Sequence, residues 1–170
     1  DMKGRNYRII AGMPLVRREY VPGLPGLRIA KFTSGVTSDA YDVKVELKAK
    51  ERAQIRQNAL EAARVAANKI LEKLGEKNYF FVLKVYPHVI LRENKMITTA
   101  GADRLQEGMR KAWGKPIGLA ARVEEGTVIL EAYTTTKFLD KVKEAFKIAA
   151  SKLPIPTKIE IIPLKQNKEA

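Results

Sequence analysis

Tyr41-Asp42-Val43-Lys44-Val45-Glu46-Leu47-Lys48 alternates apolar and charged residues without a break, and the period changes directly after it. Tyr41, Val43, Val45 and Leu47 fall on one face and Asp42, Lys44, Glu46 and Lys48 on the other, as a half-buried strand requires. From about Lys50 to Leu74 the residues Ala53, Leu60, Ala63, Ala67, Ile70, Leu71 and Leu74 gather in one arc at about 100° per residue, which predicts an amphipathic helix. Gly75 supplies its stop. A half-buried strand leading into such a helix implies that one covers the other, the layered arrangement of an α+β fold.

The chain on either side repeats this alternation of elements. Tyr79 to Tyr86 is apolar at nearly every position apart from Lys84 and reads as a strand covered on both faces, ended by Pro87. His88 to Arg92 is expected to form a second short strand. Gly118–Val123 and Thr127–Tyr133 read as a hairpin turning at Glu124-Glu125-Gly126. Lys137 to Lys152 predicts a second helix, with Phe138, Val142, Ala145 and Ala149 beside Leu139, Phe146 and Ala150, and with lysines 137, 141, 143 and 147 solvating its outer face. Pro154 and Pro156 end it, Thr157–Ile162 supplies a final strand, and residues 163–170 form a polar tail. The expected architecture is one domain over residues 1–170, with two main helices packed on a mainly antiparallel sheet. Residues 1–31 lack sustained periodicity and carry repeated turn signals from Tyr20 to Gly26, so they are expected to form an extended basic arm. Asn94 to Pro116, with Gly101, Gly108 and Gly114 among basic residues, is expected to be a long functional loop.

A chain of 170 residues, 45% hydrophobic, suffices for one packed core. It contains no run of about 18 apolar residues, and no signal-like segment follows Asp1-Met2-Lys3, so a soluble intracellular protein without membrane contact is expected. Cysteine is absent and His88 is the single histidine, which excludes disulfides, thiolate sites and histidine-rich metal centres. No metal or cofactor is expected. The net charge is +13, of which residues 1–31 hold +5 and residues 92–122 hold +4. A polyanionic partner follows, and the surplus lies mostly outside the periodic segments.

Enzymatic readings find little support. Gly108-Met109-Arg110-Lys111-Ala112-Trp113-Gly114-Lys115-Pro116 superficially matches a phosphate-cradling nucleotide loop, but five residues instead of four separate the glycines and Pro116 stands where a magnesium-holding hydroxyl is needed. Glu124-Glu125 sits at a turn, and Glu61 and Glu72 fall on a helix face among basic neighbours, so surface charge explains them. His88 has no identifiable partner for base catalysis. Trp113 fits either a core position or a stacking platform. Arg5, Arg8, Arg17, Arg18, Arg92, Arg104, Arg110 and Arg122 lie in loop-like or turn-adjacent segments, where guanidinium forks suit phosphate. Arg52 and Arg56, near the predicted start of the first helix, are further ligand candidates, and Tyr7 and Tyr20 interleave the arm's arginines as potential stacking partners. Composition alone leaves ribosomal RNA, DNA and messenger RNA open.

Specific stretches carry a resemblance beyond composition. They are Arg17-Arg18-Glu19-Tyr20 with Gly23 and Pro25-Gly26; Gln54 through Arg64; Tyr86-Pro87-His88; Leu91 through Met96; Ala100 through Gln106 with Gly108-Met109-Arg110; Gly114-Lys115-Pro116; Ala120-Ala121-Arg122; and Lys152 through Pro156. In this order they resemble the ribosomal protein family L-ten-e of archaea and eukaryotes, whose bacterial relative is L-sixteen. Leu27, Thr33 and Val89 depart from its usual proline, aspartate and second histidine. The resemblance implies an α/β-hammerhead fold and a non-enzymatic constituent of the large ribosomal subunit, in the cytoplasm, bound to ribosomal RNA and neighbouring ribosomal proteins. It also implies a loop near the transfer RNA acceptor ends by the peptidyl transferase centre, here Ile97, Thr98, Thr99, Ala100, Gly101, Ala102, Asp103, Arg104, Leu105, Gln106 and Glu107. With this family in view, the residues expected to meet ribosomal RNA are Arg5, Tyr7, Arg8, Arg17, Arg18, Arg56, Arg64, His88, Arg92, Lys95, Arg110, Lys111, Lys115 and Arg122.

Overall fold

Two bent strands, paired along their length, organise the chain. In the computed structural model, which describes residues 2–97, 100–101 and 108–164, β2 (Val43–Ala49) runs antiparallel to β7 (Val128–Thr134), while β3 (Ala53–Arg56) runs antiparallel to β6 (Lys115–Val123). Both partners therefore leave one sheet and enter another at the same corner. There Gly126 N–H donates to the Ala49 carbonyl at 2.8 Å, and Ala49 N–H donates to the Thr127 carbonyl at 2.9 Å. The expected hairpin at Glu124-Glu125-Gly126 is thus a sheet corner, because β2 and β3 take the pairing sites that β6 and β7 would have offered each other.

The larger sheet adds β1 (Thr33–Gly35), β4 (Tyr79–Leu83) and β8 (Thr157–Pro163) in the order β1-β4-β7-β2-β8, and the smaller adds β5 (Val89–Glu93) in the order β3-β6-β5. All these pairings are antiparallel. The helix expected from about Lys50 begins later, as α1 (Gln57–Leu71), followed by a tight turn over Glu72–Leu74 and by Gly75 at φ +88°. Ala53 to Arg56 are strand because β6 needs a partner along that edge, and this pairing overrides the helical period. The second helix, α2 (Leu139–Ala150), follows a short turn over Thr136–Phe138.

One face of the large sheet carries the core. Val43, Val45 and Leu47 of β2, Leu130 and Ala132 of β7, and Tyr79, Phe81 and Leu83 of β4 join Leu60, Ala63, Ala67 and Leu71 of α1 and Val142, Ala145, Phe146 and Ala149 of α2. Alanines on both buried helix faces let the two axes approach. Phe81 meets Phe146 edge-on, with centroids 6.3 Å apart. In β4, Tyr79, Phe81 and Leu83 are buried while Phe80 and Val82 are half-buried, so the strand is shorter than expected and fully covered on one face only.

The opposite face carries ion pairs in place of solvated charge. Lys44 Nζ lies 2.6 Å from Glu46 Oε1 and 3.4 Å from Glu131 Oε2, and Lys48 Nζ lies 3.0 Å from Glu46 Oε2 and also pairs with Glu160. Tyr133 OH donates to Glu131. Burial alone would raise the Glu46 carboxyl, but hydrogen bonds from Lys44 and Lys48 prevail and hold it below the usual carboxylate range.

Candidate nucleic-acid interface

The small sheet is built to hold the N-terminal arm. Gln54 and Arg122 face each other across β3 and β6. Gln54 donates its backbone N–H to the Arg8 carbonyl at 2.8 Å and its side-chain amide to the Tyr7 carbonyl at 2.7 Å. Arg122 donates to the Gly12 carbonyl at 2.6 Å and to Gln54 Oε1 at 3.4 Å. Three residues on, at the start of α1, the buried Gln57 accepts the Arg28 N–H at 3.0 Å and donates to the Gly26 carbonyl at 3.4 Å. The arm expected from the sequence is therefore clamped at both ends by two glutamines. Gln54 and Gln57 were not singled out by their sequence pattern, since an amide three residues from another in a mixed stretch carries no signal of what it will meet.

The basic residues differ in their surroundings. Arg64 is committed to Glu61, with Nε and Nη2 donating at 2.8 and 2.7 Å, and this fork holds the Glu61 carboxyl below its ordinary range. Arg92 donates to the Trp113 carbonyl at 2.6 Å and stacks on its ring with 3.5 Å between guanidinium carbon and centroid, while its Nε is buried without a partner. Arg56, expected at a helix start, ends β3 in an extended conformation, 5.8 Å from the Tyr7 ring. Arg52 pairs with Glu124 at the sheet corner. Arg5, Arg8, Arg17, Arg18, Lys95, Arg110, Lys111 and Lys115 are exposed. His88 is exposed too, its ring 4.6 Å from that of Tyr86, which stacks on Phe32 at 5.5 Å.

The base of the long loop is closed by strand pairing. Lys115 and Pro116, expected in the loop, begin β6 opposite Glu93 and Arg92. Asn94 reaches across to the Gly108 carbonyl at 3.4 Å. Gly114, at φ +74°, lies so near β5 that a Cβ there would meet Glu93 C at 2.6 Å and Asn94 N at 2.7 Å. Ile97, Ala100 and Gly101 are exposed; Thr98, Thr99, Ala102, Asp103, Arg104, Leu105, Gln106 and Glu107 lie outside the described residues.

Cavities border this sheet. One of about 290 Å³ is lined by Arg28, Arg56, Asn58 and Lys95 at the start of α1, where no side chain caps the helix. Another, of about 660 Å³, is lined by Lys95, Lys111, Trp113 and Lys115. Arg28 was missed among the candidates because it lies beyond the arginine pairs of the arm. Among the described residues no group of histidine and carboxylate side chains could hold a metal ion, and no helix is long and apolar enough to cross a membrane.

Fold and site together define a class: an antiparallel α+β protein with a cationic rim, gathered around a small sheet and a clamped arm. Comparison with known proteins then gives the family. Residues 11–160 match Ribosomal protein L16p/L10e. The chain is 52% identical over 167 residues to the large ribosomal subunit protein uL16 of Hyperthermus butylicus, covering 98% of this chain and 93% of the relative. It is 53% identical over 162 residues to that of Staphylothermus marinus, covering 95% and 93%, and 52% identical over 170 residues to that of Sulfolobus acidocaldarius, covering 98% and 96%. The chain belongs to the L16p/L10e family of large-subunit ribosomal proteins, structural constituents and not enzymes.

Proposed function

We propose that this protein is held in the large subunit, within cytoplasmic ribosomes, by large-subunit ribosomal RNA that engages the clamped arm and the rim of the small sheet, with neighbouring ribosomal proteins as further partners. The observation that carries the reading is the unequal use of cations. On the large sheet Lys44 and Lys48 are paired with Glu46, Glu131 and Glu160, whereas Arg5, Arg8, Arg17, Arg18, Arg110 and Lys115 are exposed at the arm and loop base. Such forks suit phosphate oxygens and fix register on RNA without reading sequence. Arg64, Arg92 and Arg122 contribute from within, by holding Glu61, Trp113 and the arm.

The loop Ile97 to Glu107 is presented toward transfer RNA acceptor ends, where the chemistry of peptide transfer stays with RNA. Support for this reading is the family together with a loop base closed by Gly114 and Asn94. The test replaces Ile97–Glu107 by a short Gly-Ser linker. The melting temperature is expected to change little, since closure entropy varies slowly with loop length. Subunits should retain the variant through a high-salt wash yet bind transfer RNA poorly. Normal transfer RNA binding by subunits that carry the deleted protein would overturn the loop assignment, and loss of the intact protein in the wash would overturn the RNA assignment.

A further inference from the structure

We infer that Trp113 is a stacking platform for one unpaired nucleobase of the bound RNA, with Arg92 positioning the indole and the adjacent lysines taking the nucleotide's phosphate. The inference rests on the RNA-binding reading and adds a base-stacking site to it. Trp113 is 56% exposed, so it is no core residue, yet it is not loose. The guanidinium of Arg92 lies 3.5 Å from the ring centroid and donates to the Trp113 carbonyl at 2.6 Å, fixing both ring and backbone. Gly114 fixes the next position against Glu93 and Asn94. The roughly 660 Å³ cavity beside it is lined by Trp113 with Lys95, Lys111 and Lys115, and by one acidic residue, Glu93; Arg92 is not part of its lining.

An aromatic ring held rigidly at the surface costs solvation that its neighbours do not recover; a base laid on it recovers that surface and benefits from the adjacent cation. Three lysines against one carboxylate in the cavity that Trp113 lines favour a partner that carries negative charge beside a flat π face. A nucleotide has both, and an unpaired one exposes the face. The cations alone suit any polyanion; the exposed, braced indole is what distinguishes RNA with splayed bases.

Trp113 is the only tryptophan, so its fluorescence reports on this site alone. The experiment titrates the full chain with deproteinised large-subunit ribosomal RNA and, separately, with inorganic polyphosphate, following fluorescence quenching and, by filter retention, binding. RNA should quench strongly and polyphosphate weakly at equal occupancy. Trp113→Leu should weaken RNA binding roughly five- to a hundredfold, and Trp113→Phe much less, because stacking tolerates the smaller ring. Circular dichroism melts of both variants should match the parent, since the side chain lies outside the core. RNA retained with full affinity by Trp113→Leu, or bound without quenching, overturns the platform and leaves the RNA reading standing; absence of any RNA retention overturns both.

Discussion

Gly114 and Gly126 both adopt positive φ, at +74° and +82°, but only one of them is also crowded. At Gly126 nothing lies within 4 Å of an added Cβ, so Gly126→Ala carries backbone strain alone, about 1–2 kcal/mol. At Gly114 the Cβ would strike the β5 backbone at 2.6 Å, and backbone cannot swing aside as a flexible side chain would. Gly114→Ala should therefore lower thermal stability more than Gly126→Ala and open the junction of β5 and β6, seen as faster amide exchange at Glu93 and Asn94. Equal melting temperatures for the two variants would contradict the close approach. Leu60 gives the core counterpart: it is fully buried on α1, and Leu60→Asp should prevent folding, read as loss of the cooperative melt, by burying a charge that has no partner.

At the level of elements, the ion pairs on β2, β7 and β8 set a pH dependence. Glu46, and on α1 Glu61, are held below the ordinary carboxylate value, so each contributes stability that is full above the unfolded range near about pH 4.3 and is lost as pH falls through the folded value. The melting temperature should drop below about pH 5, and Glu46→Gln should reduce that drop while costing roughly 1–3 kcal/mol at neutral pH. An unchanged acid profile in Glu46→Gln would count against this. The arm is a second element with its own test: Gln54→Ala removes the amide held at 2.7 Å by Tyr7 and should speed proteolysis within residues 1–20 while weakening RNA binding. Elements with one dominant period were legible in the sequence: Val43 to Leu47 alternates, and Leu60 to Leu71 keeps a helical stripe. Ala53 to Arg56 were expected as helix because Ala53 falls on the arc of Leu60 to Leu74; Ile55 lies off that arc, and pairing with the β6 edge makes the segment strand. The corner at Glu124-Glu125-Gly126 has the residues of a hairpin turn, and nothing local records that its two arms pair with different partners.

Over the whole molecule, most of the core lies between the large sheet and the helices, joined by Ala53, Ile55, Ala121 and Val123 of the small sheet, whose other surroundings are the N-terminal arm and the loop base with their exposed arginines. The charge excess of residues 1–31 and 92–122 revealed this division in outline. It did not reveal which arginines also have internal partners, because Glu61 beside Arg64, and Trp113 beside Arg92, become partners only through helix geometry and through the pairing of β5 with β6. The most direct test of the account is the salt dependence of binding to large-subunit ribosomal RNA, measured for the parent chain, for Arg17→Ala/Arg18→Ala/Lys115→Ala, and for Lys141→Ala/Lys147→Ala on the outer face of α2. If six to ten phosphates are neutralised, the slope of log affinity against log salt should be about −4 to −8, should shrink by about 2 to 3 in the first variant, and should hold in the second. A flat dependence, or equal losses in the two variants, would contradict the claim that the cations around the small sheet bind the RNA.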